Sequence, residues 1–185
     1  MPILALWIVL GVLVVLGAWL VLTYNGLIHS RNRVDEAWSD IEVQLKRRYD
    51  LIPNLVETVK GYASHEDKVF TDVTKARSNA MQAQTAEEHA QAENMLTSTL
   101  KSLFAVAEAY PQLQAAGNFL SLQGDLTDAE NKIQAARRFY NGNVRDFNTK
   151  LQVFPTNLIA GMFGFKDRPF FDAPDEVAEA PKVAF

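Results

Sequence analysis

Residues 119–151 read FLSLQGDLTDAENKIQAARRFYNGNVRDFNTKL, and their spacing decides the fold class. Phe119, Leu122, Leu126, Ala129, Ile133, Ala136, Tyr140, Val144, Phe147 and Leu151 are separated by threes and fours throughout. That period puts all of them on one face of an α-helix, because a turn takes 3.6 residues. Gly124 lies inside the run, yet the stripe stays in phase across it. The spacing predicts one helix of roughly 40 residues after Pro111, about 60 Å long.

Beyond this helix, Pro155, Gly161 and Gly164 break the pattern. Phe154, Leu158, Ile159, Met162, Phe163, Phe165, Phe170 and Phe171 form a dense apolar annex there. Such a cluster folds back on the helices, binds a partner or touches a bilayer. Residues 172–185 are rich in Ala, Pro and acidic side chains, a composition expected to be disordered.

Towards the N-terminus the period remains helical. Thr85-Ala86-Glu87-Glu88 is a capping box, and Ser64-His65-Glu66-Asp67 has the related S-x-x-D form. Each predicts a helix start. The helix after Ser64 carries Phe70, Val73, Ala76 and Ala80 on one face. The helix after Thr85 carries Ala92, Leu96, Thr99, Leu103, Val106 and Tyr110, and stops at Pro111. From residue 24 to about Tyr62, Leu27, Val34, Trp38, Ile41, Leu45, Tyr49, Ile52, Val56 and Val59 share a face. Pro53 inside that run is expected to kink the helix or to start a second one, and Gly61 to end it. No alternating run suggests a strand. The expected fold is all-α: an elongated antiparallel, up-and-down bundle of about four long helices over residues 24–171.

Ile3 to Leu22 is different in kind. It is 20 consecutive residues without a charged or polar side chain. At about 1.5 Å per residue it spans about 30 Å, the hydrocarbon thickness of a bilayer. Residues 1–23 are therefore expected to be a transmembrane anchor that contacts lipid through residues 3–22. A cleaved signal peptide would need a basic n-region, a shorter core and a small-x-small site, which Gly17-Ala18-Trp19 does not supply. No Lys or Arg precedes the run, whereas Arg31, Arg33 and Lys46-Arg47-Arg48 follow it. The positive-inside rule predicts the N-terminus outside and the helices in the cytoplasm.

Composition removes several kinds of chemistry. There is no cysteine, hence no disulfide, thiolate zinc site or cysteine nucleophile. A net charge of −4 does not fit nucleic-acid wrapping. His29, His65 and His89 show no metal-ligand spacing, and Gly161-Met162-Phe163-Gly164 is no phosphate loop. His65 and Glu66 read as a helix start. Two of the three side chains in Lys46-Arg47-Arg48 are expected to face solvent, since consecutive helical residues point in different directions. No catalytic, cofactor or metal residue is assigned.

Arg48 falls within the apolar face of its helix. Glu130 and Arg137 fall beside the Ile133 stripe of the last long helix, with Asn148 near. An inward charge requires a partner. The expectation is a polar layer of Arg48, Glu130, Arg137 and Asn148 that sets helix register, with an Arg48–Glu130 bond at its centre.

Three blocks resemble the LemA family. The first is Tyr24-Asn25, Arg31-Asn32 and the run Ala37-Trp38-Ser39-Asp40-Ile41-Glu42-Val43-Gln44-Leu45-Lys46-Arg47-Arg48. The second is Asp50-Leu51-Ile52-Pro53-Asn54-Leu55-Val56 with Val59-Lys60-Gly61-Tyr62 and His65-Glu66. The third is Glu130-Asn131-Lys132-Ile133, Ala136-Arg137, Tyr140-Asn141, Phe147-Asn148 and Phe154-Pro155. The resemblance implies a bacterial plasma-membrane protein with one N-terminal span and a helical bundle. By family association alone it implies a membrane-organising role and an HtpX-type membrane metalloprotease as a partner, and it supplies no reaction. The function expected is a non-enzymatic scaffold that self-associates or recruits a membrane protein. The alternatives are a lipid-binding or lipid-remodelling module at the membrane surface and an enzyme with an unrecognised site.

Overall fold

A computed structural model describes residues 2–171, and among them every regular element is a helix. These are α1 (Pro2–Lys60), α2 (Asp67–Gln82), α3 (Ala86–Glu108), α4 (Pro111–Gln114), α5 (Gly117–Gln152) and α6 (Thr156–Met162). The expected tail, residues 172–185, lies outside the described residues.

The apolar run and the first amphipathic helix are one uninterrupted helix, α1. Pro53 sits inside α1 and does not divide it. The helix ends where expected, with Gly61 N donating to Glu57 O at 3.2 Å and Ala63 N to Val59 O at 2.9 Å. Thr85 caps α3 as a full capping box: Glu88 N donates to Thr85 Oγ1, and the Glu88 carboxylate accepts from Thr85 N. Ser64 does not cap α2. That helix starts at Asp67, with Glu66 at its cap position and no side-chain bond.

The long C-terminal helix contains the whole stripe but does not begin at Pro111 as expected. Pro111 opens a single turn, α4, and α5 starts afresh at Gly117. The apolar stripe hides this break because its register begins only at Phe119, beyond it.

The described chain forms two compact units. The first comprises residues 2–39 and 139–168. In it Ser30 bonds Lys150, and the Trp38 and Tyr140 rings lie 5.4 Å apart. Residue numbers on α5 fall as those on α1 rise, so the two helices run antiparallel here. The second unit comprises residues 40–138 and 169–171. There α2 folds back on α3, and Ile41, Leu45 and Ile52 of α1 are buried.

Phe70, Val73, Ala76 and Ala80 are the buried face of α2, as the period requires. The face of α3 differs from expectation. Ala86, Ala90, Glu93, Leu96, Leu100, Leu103 and Ala107 are buried, so Ala92, Thr99, Val106 and Tyr110 are not at the centre of the contact. The helix is rotated because a glutamate, Glu93, belongs to the inner stripe.

Candidate functional site

That inward glutamate meets the inward arginine of α1. Arg48 is 1% exposed and Glu93 4%, and their charged groups pair directly. The other guanidinium nitrogen of Arg48 donates to Glu130 Oε2 on α5 at 2.5 Å, with Thr97 Oγ1 at 3.4 Å. Arginine suits this position because its planar fork offers donors in two directions from one fixed charge. A lysine would present a single point charge. Tyr49, the next residue, donates its hydroxyl to Glu93. The Tyr49 carbonyl accepts from Arg77 Nε on α2 at 2.7 Å. One buried network thus ties α1, α2, α3 and α5 together at a single level of the second unit.

Of the four residues expected to form a polar layer, the structure brings two together. Arg48 meets Glu130. Arg137 instead holds its guanidinium over the Phe171 ring, 4.9 Å from the centroid. Asn148 belongs to the first unit, where it clasps the backbone of Arg168: Arg168 N donates to Asn148 Oδ1 and Asn148 Nδ2 to Arg168 O, both at 2.9 Å. Glu93, with the shortest approach to Arg48, was not among the expected residues. The signal was present, since Glu93 lies on the 3–4 track from Ala86 to Ala107, but a carboxylate is ordinarily assigned to the solvent face. Of the basic triplet, Lys46 is exposed, Arg47 pairs at the surface with Asp128 at 2.9 Å, and only Arg48 turns inward.

Arg48 and Glu93 are buried, and the Glu130 side chain is 32% exposed. The clefts around Met95, Thr74 and Gln123 are lined by none of Arg48, Tyr49, Glu93 or Glu130. No three metal-ligating side chains cluster among the described residues. Arg48 thus holds two carboxylates from different helices in one ion-paired cluster. The Tyr49 phenol reports on the cluster. Burial pushes it up from 10.0 to about 12, against the opposing pull of the Arg48 charge. The fold therefore holds the neutral phenol and keeps its proton longer than the unfolded chain does. The resulting stability is fully present below about pH 10 and is lost as pH rises towards about 12. An absorbance titration is expected to show late-ionising tyrosine that appears together with alkaline unfolding. Burial also raises Tyr140, so Tyr49→Phe removes part of the late component and not all of it. If Tyr49→Phe instead removes a tyrosine that ionises near pH 10 and leaves the late component whole, this placement of Tyr49 is refuted.

The annex divides between the two units. Ile159 and Ala160 of α6 are buried against Leu27, with Leu20, Tyr24, Leu151 and Phe165 packed around them. Phe165 reaches Tyr24 because α6 ends in a Schellman turn. Gly164 adopts φ +68°, Phe165 N donates to Ala160 O and Gly164 N to Gly161 O. Phe163 lies 4.7 Å from the Tyr24 ring. Phe154, Leu158 and Met162 point away from this contact and are exposed. Phe170 is also exposed, while Phe171 is fully buried in the second unit.

From Ile3 to Leu16 the large apolar side chains of α1 are bare, with exposures between 49% at Leu10 and 72% at Ile3. The helix that carries them, α1, is long and apolar enough to cross a membrane.

Fold and site together define an all-helical protein with one candidate membrane span and a buried Arg48–Glu93 ion pair in its packed helices. The chain belongs to the LemA family, whose model matches residues 37–185. It is 25% identical to Protein LemA of Metamycoplasma hominis over 152 residues, covering 82% of this chain and 69% of that protein. It is also 25% identical to Magnetosome protein MamQ 2 of Paramagnetospirillum magneticum, covering 83% of this chain and 66% of that one. Magnetosome protein MamQ of Magnetospirillum gryphiswaldense is 23% identical, with 65% of its length covered. The chain spans about two thirds of the length of these magnetosome relatives.

Proposed function

We propose that this protein is a non-enzymatic scaffold held at the bacterial plasma membrane by residues 3–22. The observation that carries the reading is the bare apolar stretch of α1, which no described residue covers and which continues as one helix into the packed residues. A bilayer is the solvent that such a surface fits. The burial of Arg48 and Glu93 supports a structural use of these charges. In this reading the helix faces serve a second copy of the chain or a membrane protein, the latter an HtpX-type protease by family association. Two of the relatives are named as magnetosome proteins, which accords with an organising role.

The basic residues after the span support a cytoplasmic position for the helices. The chain has no native thiol, so Ser102→Cys on exposed α3 supplies a single probe. An impermeant thiol reagent is expected to label it only after lysis, and labelling of intact cells would reverse the topology. For the scaffold itself, cross-linking in mild-detergent extracts is expected to trap a dimer, a larger assembly or a membrane partner. A protein that stays monomeric and alone under those conditions is no scaffold.

A further inference from the structure

We propose that α6 is a second membrane-contacting element, an interfacial wedge that lies in the headgroup layer beside the span. The proposal rests on the anchor reading above. Its basis is depth. The inner face of α6, Ile159 and Ala160, packs on Leu20, Tyr24 and Leu27 of α1. These residues straddle Leu22, where the uninterrupted apolar run ends. Tyr24 lies two residues beyond that point, about 3 Å along the helix axis. The headgroup layer on each side of the hydrocarbon is roughly 5–7 Å thick. Tyr24, with Phe163 and Phe165 stacked around it at 4.7 and 5.8 Å, therefore sits within that layer. Aromatic side chains favour this depth.

At that depth every direction pointing away from α1 leads into lipid. The outer face of α6 is built for it. Leu158 and Met162, four apart on α6, share one face with exposures of 59% and 71%, and Phe154 in the turn just before the helix is 79% exposed. Phe163 adds a half-exposed ring at the end of the stripe. In water so many large apolar groups would be a liability. Cations stand on the aqueous side of the stripe. Arg31 holds its guanidinium 5.9 Å from the Phe165 ring, Lys150 bonds Ser30 one residue earlier on α1, and Lys166 is exposed just past the Schellman turn. Asp167, exposed beside Lys166, offsets that lysine, and the Asp35 carboxylate is bound by Arg168 at 2.7 Å, which leaves Arg31 and Lys150 as the cations at this edge. An apolar stripe edged by basic residues fits the boundary of an anionic bilayer.

The test uses the full chain in vesicles of equal parts phosphatidylcholine and phosphatidylglycerol. Single cysteines at Leu158, Met162, Leu13 and Ser102 each carry an environment-sensitive fluorophore, and lipids bear spin-label quenchers at shallow or deep positions. The expected result is a loss of emission at 158 and 162 with shallow quenchers, at 13 with deep quenchers, and at 102 with neither. If 13 is quenched while 158 and 162 stay in water, the anchor stands and the wedge is refuted. If 13 escapes quenching as well, the anchor reading fails and takes the wedge with it. If 158 and 162 are shielded but unquenched by lipid, and cross-link between copies, the stripe is a protein interface and the proposal is wrong.

Discussion

Arg48→Met is expected to destabilise the packed helices by on the order of 3–5 kcal/mol, because it strands a buried carboxylate. Arg48 is the shared partner of Glu93 and Glu130, and Glu93 is itself sealed from water. Removing the guanidinium leaves Glu93 with the Tyr49 hydroxyl as its remaining neutral donor. The ion pair as a whole is worth far less than this loss, since an apolar pair of equal volume does nearly as well. Arg48→Met with Glu93→Gln is therefore expected to recover most of the stability, with strong non-additivity in the double-mutant cycle. Coupling to Glu130→Gln is expected to be weaker, because the Glu130 side chain is 32% exposed and water can replace its partner. Denaturant unfolding followed by far-UV dichroism measures all of these. An Arg48→Met protein as stable as the wild type would show that the charges are not holding the helices. Loss of cellular function at unchanged stability would make the network a functional site.

The second large effect concerns the span. Paired arginines at Leu10 and Val14, one turn apart on α1, are expected to release the protein from the membrane. Each charge at the centre of a span costs about 2.5–3.5 kcal/mol, while the Leu, Ile and Val side chains of the run together favour insertion by on the order of 5 kcal/mol. One arginine leaves the balance near zero, and two reverse it. Alkaline carbonate extraction and vesicle flotation read the outcome. The wild-type chain is expected to stay with the membrane, the single variant to divide between fractions and the double variant to appear in the soluble fraction or be degraded. A double variant that floats with membranes like the wild type would mean that residues 3–22 are not what holds the protein there.

The all-helical architecture was legible in the sequence because helix formation is local. Threes and fours between apolar residues mark the buried face of α2 and most of α5, and they placed Leu27, Val34, Ile41, Leu45, Ile52 and Val59 of α1 correctly. The Thr85–Glu88 box was legible for the same reason, since its bonds close within three residues. The span was legible from length and hydropathy alone, without reference to any other part of the chain. Arg48 announced itself as a charge inside an apolar stripe.

Tertiary structure decided what the charges do. Glu93 lies on an inner track of α3, but only an arginine from α1 makes burial of a carboxylate tolerable there, and the two are 45 residues apart in the chain. The same absence of a local signal separated Arg137 and Asn148 from the layer expected of them, one onto the Phe171 ring and the other onto the Arg168 backbone. It also divided the C-terminal aromatics, sending Phe171 into one packed unit and setting Ile159 against Leu27 in the other. Period, capping and hydropathy depend on neighbours a few residues away, so the sequence by itself determined the helices and the span. Charge pairing and the choice of inner face depend on groups brought together from distant positions, where desolvation without a partner is too costly to survive, and only the folded chain decides which partners are there.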